Sequence, residues 1–564
     1  MSDKPKLRIG LLLDSLQVPA WTRAMLELIE QSADAEIALV VLDANDEPRP
    51  KRSRLSTLLQ NRSSLLYIAY GKLDRRKFRR FNFPDATEQT DIADLLADVP
   101  VVKVKPKRTK FSDRFGQSDV ETIRGHDLDV LVRLGFRILR GGILQAARCG
   151  VWSFHHGDNR VNRGGPPCFW EVIERQPVTG SILQILNEDL DAGTVLCRSY
   201  SATDPVSVHR NRCAVLWKSL HFLPRMLKRL RRMGKEAFFE RVAEENAAPN
   251  LYSNRLYTQP ANWELAGPLL RHLLHRAKNR LRKEFRFDQW CLGFRFGDDV
   301  STSCWRLKQI VPPKDRFWAD PHVVRANGRY YIFIEEFIYA ADRAHISVIE
   351  MDGRGNHGPP KKVLAPPHHL SYPLVFKHEG DWYMIPESHR GIDAYKCTRF
   401  PDCWEFHHTL MSDVSGSDAT LLEHGGRWWL FVDLAAGRGC SSWDELFLFH
   451  ADRPLSTDWT PHADNPIVSD VRRARPAGKI FEHNGRLYRP AQDCSGGYGY
   501  GMRIHEILAL TPTEYAEREI ARVEPNWHKS ISGVHHFSRE GRLTVIDFKL
   551  VRSRLGTGAT SGPS

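Results

Sequence analysis

A multidomain architecture is predicted: an α/β doubly wound domain over residues 1–205, a basic helical connector over 206–288, a five-bladed β-propeller over 289–555 and a flexible tail over 556–564. Three observations predict it. Continuous β-branched runs alternate with helical patterns at the start of the chain, leucines interleaved with cations follow, and an aromatic-rich hairpin then returns five times. At 564 residues the chain is also too long for one ordinary core.

The first domain opens on "LRIGLLL", closed by Asp14, which reads as a buried strand and not as a secretory leader. "AEIALVVL", "VPVVKVK", "LDVLVRLG" and "GVWSF" continue the series of strands expected in a largely parallel sheet covered on both faces. "AWTRAMLELIEQSA" and "GGILQAA" are expected as crossover helices between them. Ligands of such sheets bind at the carboxyl ends of the strands. The segment "HHGDNRVNRGGPPCFWEVI" leaves the end of "GVWSF", so it is placed where chemistry is expected.

The connector carries "RMLKRLRRMGK" and "RHLLHRAKNRLRKEFR", basic amphipathic helices by their leucine spacing. With "RPKRSR" and "KLDRRKFRRF" they concentrate a net charge of +13. A solvated helix face is the plain expectation, and peripheral contact with an anionic membrane the sharper one. No nucleic-acid module accompanies the charge, so no specific nucleic acid is expected. Charged residues at 26 % fit a globular protein, no apolar run is long enough to span a bilayer, and the scattered cysteines suggest reduced thiols in a cytoplasmic protein, peripheral at the inner membrane face where the basic helices meet lipid. The ten cysteines form no C-x-x-C pair or disulfide framework, and no metal ligands are picked out.

In the last domain "DPHVVRANGRYYIFIEE", "YPLVFKHEGDWYMIPES", "DATLLEHGGRWWLFVDL", "PAGKIFEHNGRLYRPAQD" and "GVHHFSREGRLTVIDFK" repeat one pattern of strand, glycine turn and strand. The turn glycines Gly328, Gly380, Gly426, Gly485 and Gly541 are 52, 46, 59 and 56 residues apart, a blade-sized interval. Acids recur at strand ends, where most are expected to cap turns.

Residues 127–196 carry a Gly-x-x-x-x-His strand end, an Arg-Gly turn with proline, a Thr-Gly strand and Leu-Asp-x-Gly. Together these resemble the folate-dependent formyltransferase family. The resemblance implies transfer of a formyl group from 10-formyltetrahydrofolate to an amine, here of a sugar or glycolipid precursor. It makes His155 the family histidine and Asp191 the aspartate, 191 − 155 = 36 residues apart. An imidazole beside a carboxylate suits the proton traffic of amine attack on a formyl group. The family has Asn where this chain has Ser153, so the oxyanion donor becomes Ser153 or His156. Gly135, Ile138 and Leu139 lie where the family binds the pterin.

"FWADPHVV", "SYPLVF", "IPES", "SDATLL" and "RPAGKIFEHNGRLYRPAQDCSGGYGYG" resemble the N-terminal propeller domain of plant glucosamine inositolphosphorylceramide transferases, implying a glycan-associated propeller. "WADPH" is also similar to a motif of furanosidase-type propellers, which gather three acids in a central funnel. Asp320, Glu387 and Asp418 are the residues expected there. Two readings follow: a formyltransferase whose propeller grips a glycan, or a carbohydrate-binding or glycosidase-like propeller carrying an inactive formyltransferase-like domain.

Overall fold

The computed structural model describes residues 4–45, 62–78, 83–109, 111–189, 191–388 and 390–554. The cations of 49–54, the end of the 72–81 run and the tail over 556–564 lie outside the described residues. The chain divides into two compact units, Met1–Leu274 with Ala436–Cys440, and His275–Ala435 with Ser441–Ser564.

The first unit is built on a seven-stranded mixed sheet. Its order is Thr194–Ala202, Val178–Ile185, Val151–His155, Val130–Arg133, Leu7–Leu13, Ala35–Asp43 and Val101–Val104. The last five of these are mutually parallel and the first two antiparallel. Both faces are covered. On one, Ile9, Leu11, Leu13 and Trp152 join Met25 and Ile29 of the helix Ala20–Glu30. On the other, Leu12, Val41 and Leu131 pack with Ile123 and Ile143. Leu7–Leu13 is thus the buried strand expected of it. "GGILQAA" differs from expectation: only Gly142–Gln145 coils, as a single 3₁₀ turn. The run lies in the ten residues between the strands Ile138–Arg140 and Val151–His155, where Gly141 at φ 81 and Gly150 at φ 76 turn the chain on either side of it and leave little length for a full helix.

The helices Val208–Ser219, Phe222–Met233 and Lys235–Glu245 begin the helical linker. Their Leu216, Leu223, Leu227, Leu230 and Phe238 enter the sheet's own core, which is why the leucines recur at helical spacing.

The second unit is a succession of antiparallel sheets, consistent with a propeller-like arrangement. Four are four-stranded and sequential, covering strands from Arg316 to Leu364, Ser371 to Met411, Gly416 to Pro461 and Phe481 to Val523. The fifth joins the two ends of the unit, because Arg286–Phe296 pairs with Leu543–Ser553 over eleven positions. The five repeat glycines all sit at hairpin turns with φ between 54° and 91°, a region open to glycine at little cost.

Candidate functional site

In the first unit the strand Val151–His155 ends beside Val130–Arg133, and the loop leaving it folds back over the strand ends. His155 Nδ1 lies 3.5 Å from Asp191 Oδ1, and its Nε2 is 2.9 Å from the carbonyl of Asn162. A carbonyl only accepts, so Nε2 carries a proton and donates. The Nδ1 that faces Asp191 is then the nitrogen that takes up or gives off a proton. Asp191 is fixed by its surroundings: the Gly164 N–H donates to its Oδ2 at 3.1 Å, and Asn159 Nδ2 donates to its carbonyl at 3.1 Å. The glycine of "LDAG" is needed for close approach, since a Cβ on Gly193 would stand 2.0 Å from the Ile185 carbonyl oxygen. Asp158 holds the loop through Tyr200 Oη at 3.0 Å and through Arg198, whose other nitrogen donates to Asn159 at 2.8 Å.

Ser153 is buried, and its hydroxyl accepts a hydrogen bond from Arg133 Nη1 at 3.1 Å. The donor that reaches this strand end is therefore the guanidinium, which also donates to the carbonyls of Phe136 and Arg137. Burial pulls Arg133 below its ordinary range, and the carboxylates of Asp191, Asp14 and Asp113 act against that. Sequence reasoning missed this arginine, although a cation interrupting the apolar "VLVRLG" was a visible signal. His156 turns elsewhere: its ring stacks on Phe154, meets the edge of Trp21 and faces Ser219 Oγ at 3.5 Å. Burial and the neighbouring His155 push it down to about 3, so it is neutral at working pH.

Gly135 abuts the end of the first strand, where a Cβ would lie 2.4 Å from the Asp14 nitrogen, and Asp14 Oδ1 accepts from the Phe136 N–H at 2.6 Å. Ile138 and Leu139 sit in a short strand paired with Ser112–Arg114, with the Leu139 side chain in the core.

A second constellation occupies the second unit. In three successive sheets the first strand carries the same irregularity. Ala319, Ser371 and Ser417 pair with Glu335, Glu387 and Asp433, and the next residue of each bulges out of register. Those bulged residues are Asp320, Tyr372 and Asp418, with φ of 50°, 44° and 54°. Left-handed backbone at buried non-glycine residues is costly, by about 1–3 kcal/mol each, and concentrates at functional sites. The three sequence-predicted acids are brought into one network here. Arg475 Nε reaches Asp418 Oδ2 at 2.5 Å, and its Nη2 reaches Asp418 Oδ1 and Glu387 Oε2 at 3.2 Å each. Gln492 also donates to Asp418 at 2.8 Å. The Tyr372 N–H donates to Asp320 at 3.1 Å, while its hydroxyl contacts Thr420 at 2.6 Å and accepts from the Gly478 N–H at 3.0 Å. Asp320 in turn donates its N–H to Asp547, which His535 Nδ1 holds at 2.7 Å. One polar network thus takes residues from all five sheets.

Burial would push the Asp320 carboxyl up, but His536 and His535 hold it below its ordinary range. Glu335 moves the other way, raised by burial and by the surrounding carboxylates, and so keeps its proton to donate. Beside the network, the Tyr498 ring lies 5.1 Å from the Arg475 guanidinium and 5.8 Å from Trp443, and both aromatics are half-buried. Trp318, by contrast, is buried and donates to Glu336. Arg475, Tyr372 and Trp443 were not picked out from sequence.

Residues 299–549 match the family described as glucosamine inositolphosphorylceramide transferase 1, N-terminal. Over 206 residues the chain is 34 % identical to glucosamine inositolphosphorylceramide transferase 1 of Oryza sativa subsp. japonica, covering 36 % of this chain and 27 % of that relative. It is 28 % identical over 85 residues to methionyl-tRNA formyltransferase of Chlorobium chlorochromatii (strain CaD3), covering 15 % of this chain and 27 % of that relative. A thermostable family-43 glycoside hydrolase of known structure aligns at 14 % identity and a TM-score of 0.32, over 44 % of this chain and 95 % of that one. The chain spans about a quarter of the length of these curated relatives. The second unit is a propeller-like region resembling the first family, and the first unit is weakly formyltransferase-like.

Proposed function

We propose that residues 289–555 form a five-bladed propeller that binds a glycan, the phosphorylated sugar headgroup of a glycolipid, at the polar centre around Arg475. The bulged Asp320, Tyr372 and Asp418 carry this reading. Three strained backbones at one register position are retained where convergent side chains are needed. Sugar hydroxyls donate hydrogen bonds to acceptors and accept them from donors, which Asp320, Gln492 and the protonated Glu335 supply. Tyr498 and Trp443 offer faces for stacking. Hydrolysis is less well supported: burial and Glu387 raise the Asp418 carboxyl, but Arg475 occupies oxygens of both Asp418 and Glu387 and turns them toward itself instead of toward a leaving group. Residues 1–205 then form the formyltransferase-like domain and 206–288 the connector.

A second reading is favoured by the His155–Asp191 pair at 3.5 Å. In it, His155 takes the proton of an amine attacking 10-formyltetrahydrofolate, Asp191 stabilises the imidazolium, Arg133 answers the developing oxyanion in place of an amide, and the imidazolium returns the proton to the folate nitrogen as its bond to the formyl carbon breaks and tetrahydrofolate leaves. Gly135 and the backbone of Ile138 and Leu139 border the folate. Calorimetry of the full chain tests both readings. An inositol-phosphate oligosaccharide carrying a hexosamine is expected to bind, and Trp443→Ala and Tyr498→Ala each to weaken it about tenfold or more, 1.4 kcal/mol per decade. Absence of binding to the wild type overturns the glycan reading. Saturable binding of a stable 10-formyltetrahydrofolate analogue, lost in Asp191→Asn, supports transfer, and its absence leaves the first domain inactive.

A glycolipid headgroup lies in a membrane surface, and the helix Asn262–Phe285 is built for one. Leu265, Leu269 and His272 face the protein and are buried. Trp263, Leu270, Leu274, Leu281 and Phe285, spaced by 7, 4, 7 and 4, fall within about 60° of one another on the opposite face. They are 49–81 % exposed and lie beside Arg271, Lys278 and Arg282. Apolar insertion flanked by cations matches an anionic interface. No helix among the described residues is long and apolar enough to cross a membrane. Co-sedimentation with anionic vesicles is expected, with much less on zwitterionic ones, and Leu274→Glu with Leu281→Glu is expected to reduce it at least tenfold. Equal sedimentation of the double variant contradicts this contact.

A further inference from the structure

Away from both constellations, three side chains of different chemistry converge in the first unit. Asp85 lies in the segment that follows the helix Leu65–Phe78, while His209 and Cys213 stand four residues apart on one face of the helix Val208–Ser219. His209 Nε2 is 3.6 Å from Asp85 Oδ1, Cys213 Sγ is 3.7 Å from the same oxygen, and Sγ to Nε2 is 3.8 Å. The three donor atoms form a nearly equilateral triangle.

That triangle has the dimensions of one face of a tetrahedral zinc site. With Zn–N and Zn–O bonds of about 2.0–2.1 Å and Zn–S of about 2.3 Å, tetrahedral angles separate the donors by about 3.3–3.6 Å. The observed separations exceed these by only a few tenths of an ångström, a shift side-chain rotation supplies. Direct hydrogen bonding accounts for the two sulfur separations but not for the third, since 3.6 Å is too long for a nitrogen–oxygen hydrogen bond. The other cluster of comparable composition among the described residues, Asp320 with His535 and Asp547, shows the contrast. There His535 Nδ1 is 2.7 Å from Asp547, a hydrogen bond too short for two donors of one ion, and Asp547 also accepts the backbone N–H groups of Asp320, His535 and His536.

The donors are also held in place. Thr87 donates to Asp85 Oδ1 from its backbone N–H at 3.0 Å and its hydroxyl at 2.6 Å, and Arg75 donates to Oδ2 at 3.1 Å. The backbone N–H of His209 donates to Asp74 at 2.8 Å, and Ser207 caps the helix that carries both His209 and Cys213. A carboxylate so supported by outer partners is a usual part of a protein metal site. Cys213 is buried, whereas the side chains of His209 and Asp85 are 11 % and 8 % exposed, so the site has a solvent side.

We propose that Asp85, His209 and Cys213 bind a zinc-class divalent ion, with a fourth position left to water on the solvent side. A mixed thiolate, imidazole and carboxylate set suits zinc and not calcium or magnesium, which take oxygen donors. On binding, the Cys213 S–H bond breaks, its proton passes to solvent and a metal–thiolate bond forms, with no change of oxidation state. The ion ties the segment at Asp85 to a helix 128 residues further along the chain. This inference is independent of the glycan and transfer readings.

Cobalt(II) is the probe, because a cobalt–thiolate bond has its own near-ultraviolet charge-transfer absorption. The full chain, stripped with a chelator, is titrated with cobalt(II) and back-titrated with zinc(II). One saturable charge-transfer band is expected, bleached by zinc, absent in Cys213→Ser and weakened at least tenfold in affinity in His209→Gln. The second variant keeps the thiol and guards against a folding defect in the first. No band in the wild type, or a band unchanged in both variants and therefore due to another of the ten cysteines, overturns the site.

Discussion

Replacing Glu171 by glutamine is expected to raise the unfolding free energy by about 3 kcal/mol at pH 8 and by less than about 1 kcal/mol at pH 5. Glu171 is 2 % exposed; Asn162 Nδ2 donates to its Oε1 at 3.1 Å, and its Oε2 has no hydrogen-bond partner among the described residues. Burial pushes its carboxyl up to about 7. The unfolded chain releases that proton near 4.5, so between these values the folded state binds more protons than the unfolded one. Stability therefore falls as pH rises from about 4.5 to 7, and the full penalty stands above 7. Glutamine stays neutral throughout and can still accept from Asn162. Urea denaturation at the two pH values measures the difference, and an equal effect at both contradicts a neutral Glu171. The consequence reaches the first site, since the carbonyl of Asn162 is the acceptor for His155.

Arg475→Met is expected to cost about 3–5 kcal/mol, the usual price of stranding a buried ionic partner. Its guanidinium is 6 % exposed and serves both Asp418 and Glu387, each itself buried. Removing the cation leaves Asp418 and Glu387 facing each other, with the Gln492 amide still donating to Asp418. Adding Asp418→Asn is expected to recover a large part of the loss, and the double-mutant cycle reports the coupling directly. Burial and the neighbouring Glu387 push the Asp418 carboxyl up against the pull of Arg475, and a single variant costing under about 1 kcal/mol contradicts a cation that holds the two buried acids together. Glycan binding is expected to fail in Arg475→Met and to remain absent after stability is recovered.

These effects also mark what is legible in the amino-acid order. The hairpins were legible because a turn glycine with positive φ between two apolar strands is a local device, and Gly328, Gly380, Gly426, Gly485 and Gly541 all serve that way. His155 and Asp191 were legible through their motifs, and the close approach at Gly193 explains the rigidity of one of them. Asp320, Glu387 and Asp418 were legible as acids at strand ends. Their cation was not: "VRRARPAG" holds three arginines, of which Arg472 and Arg473 pair with Asp470 and Glu517, and only Arg475 enters the centre. Arg133 was visible as a cation in "VLVRLG", but its role was not, because its partner Ser153, twenty residues away across a parallel sheet, leaves no local pattern. His156 looked like a second donor beside His155, yet the strand end turns its ring onto Trp21 and Phe154. The leucines of the basic helices were legible, but which face stays exposed depends on what Leu265 and Leu269 pack against.

The most direct test of the central claim is a crystal structure of the full chain with the hexosamine–inositol-phosphate headgroup bound. The account predicts sugar oxygens within about 3 Å of Asp320, Gln492 or Arg475, with one ring lying over Tyr498 or Trp443. A headgroup seated elsewhere on the unit, with the Arg475 network untouched, would contradict it.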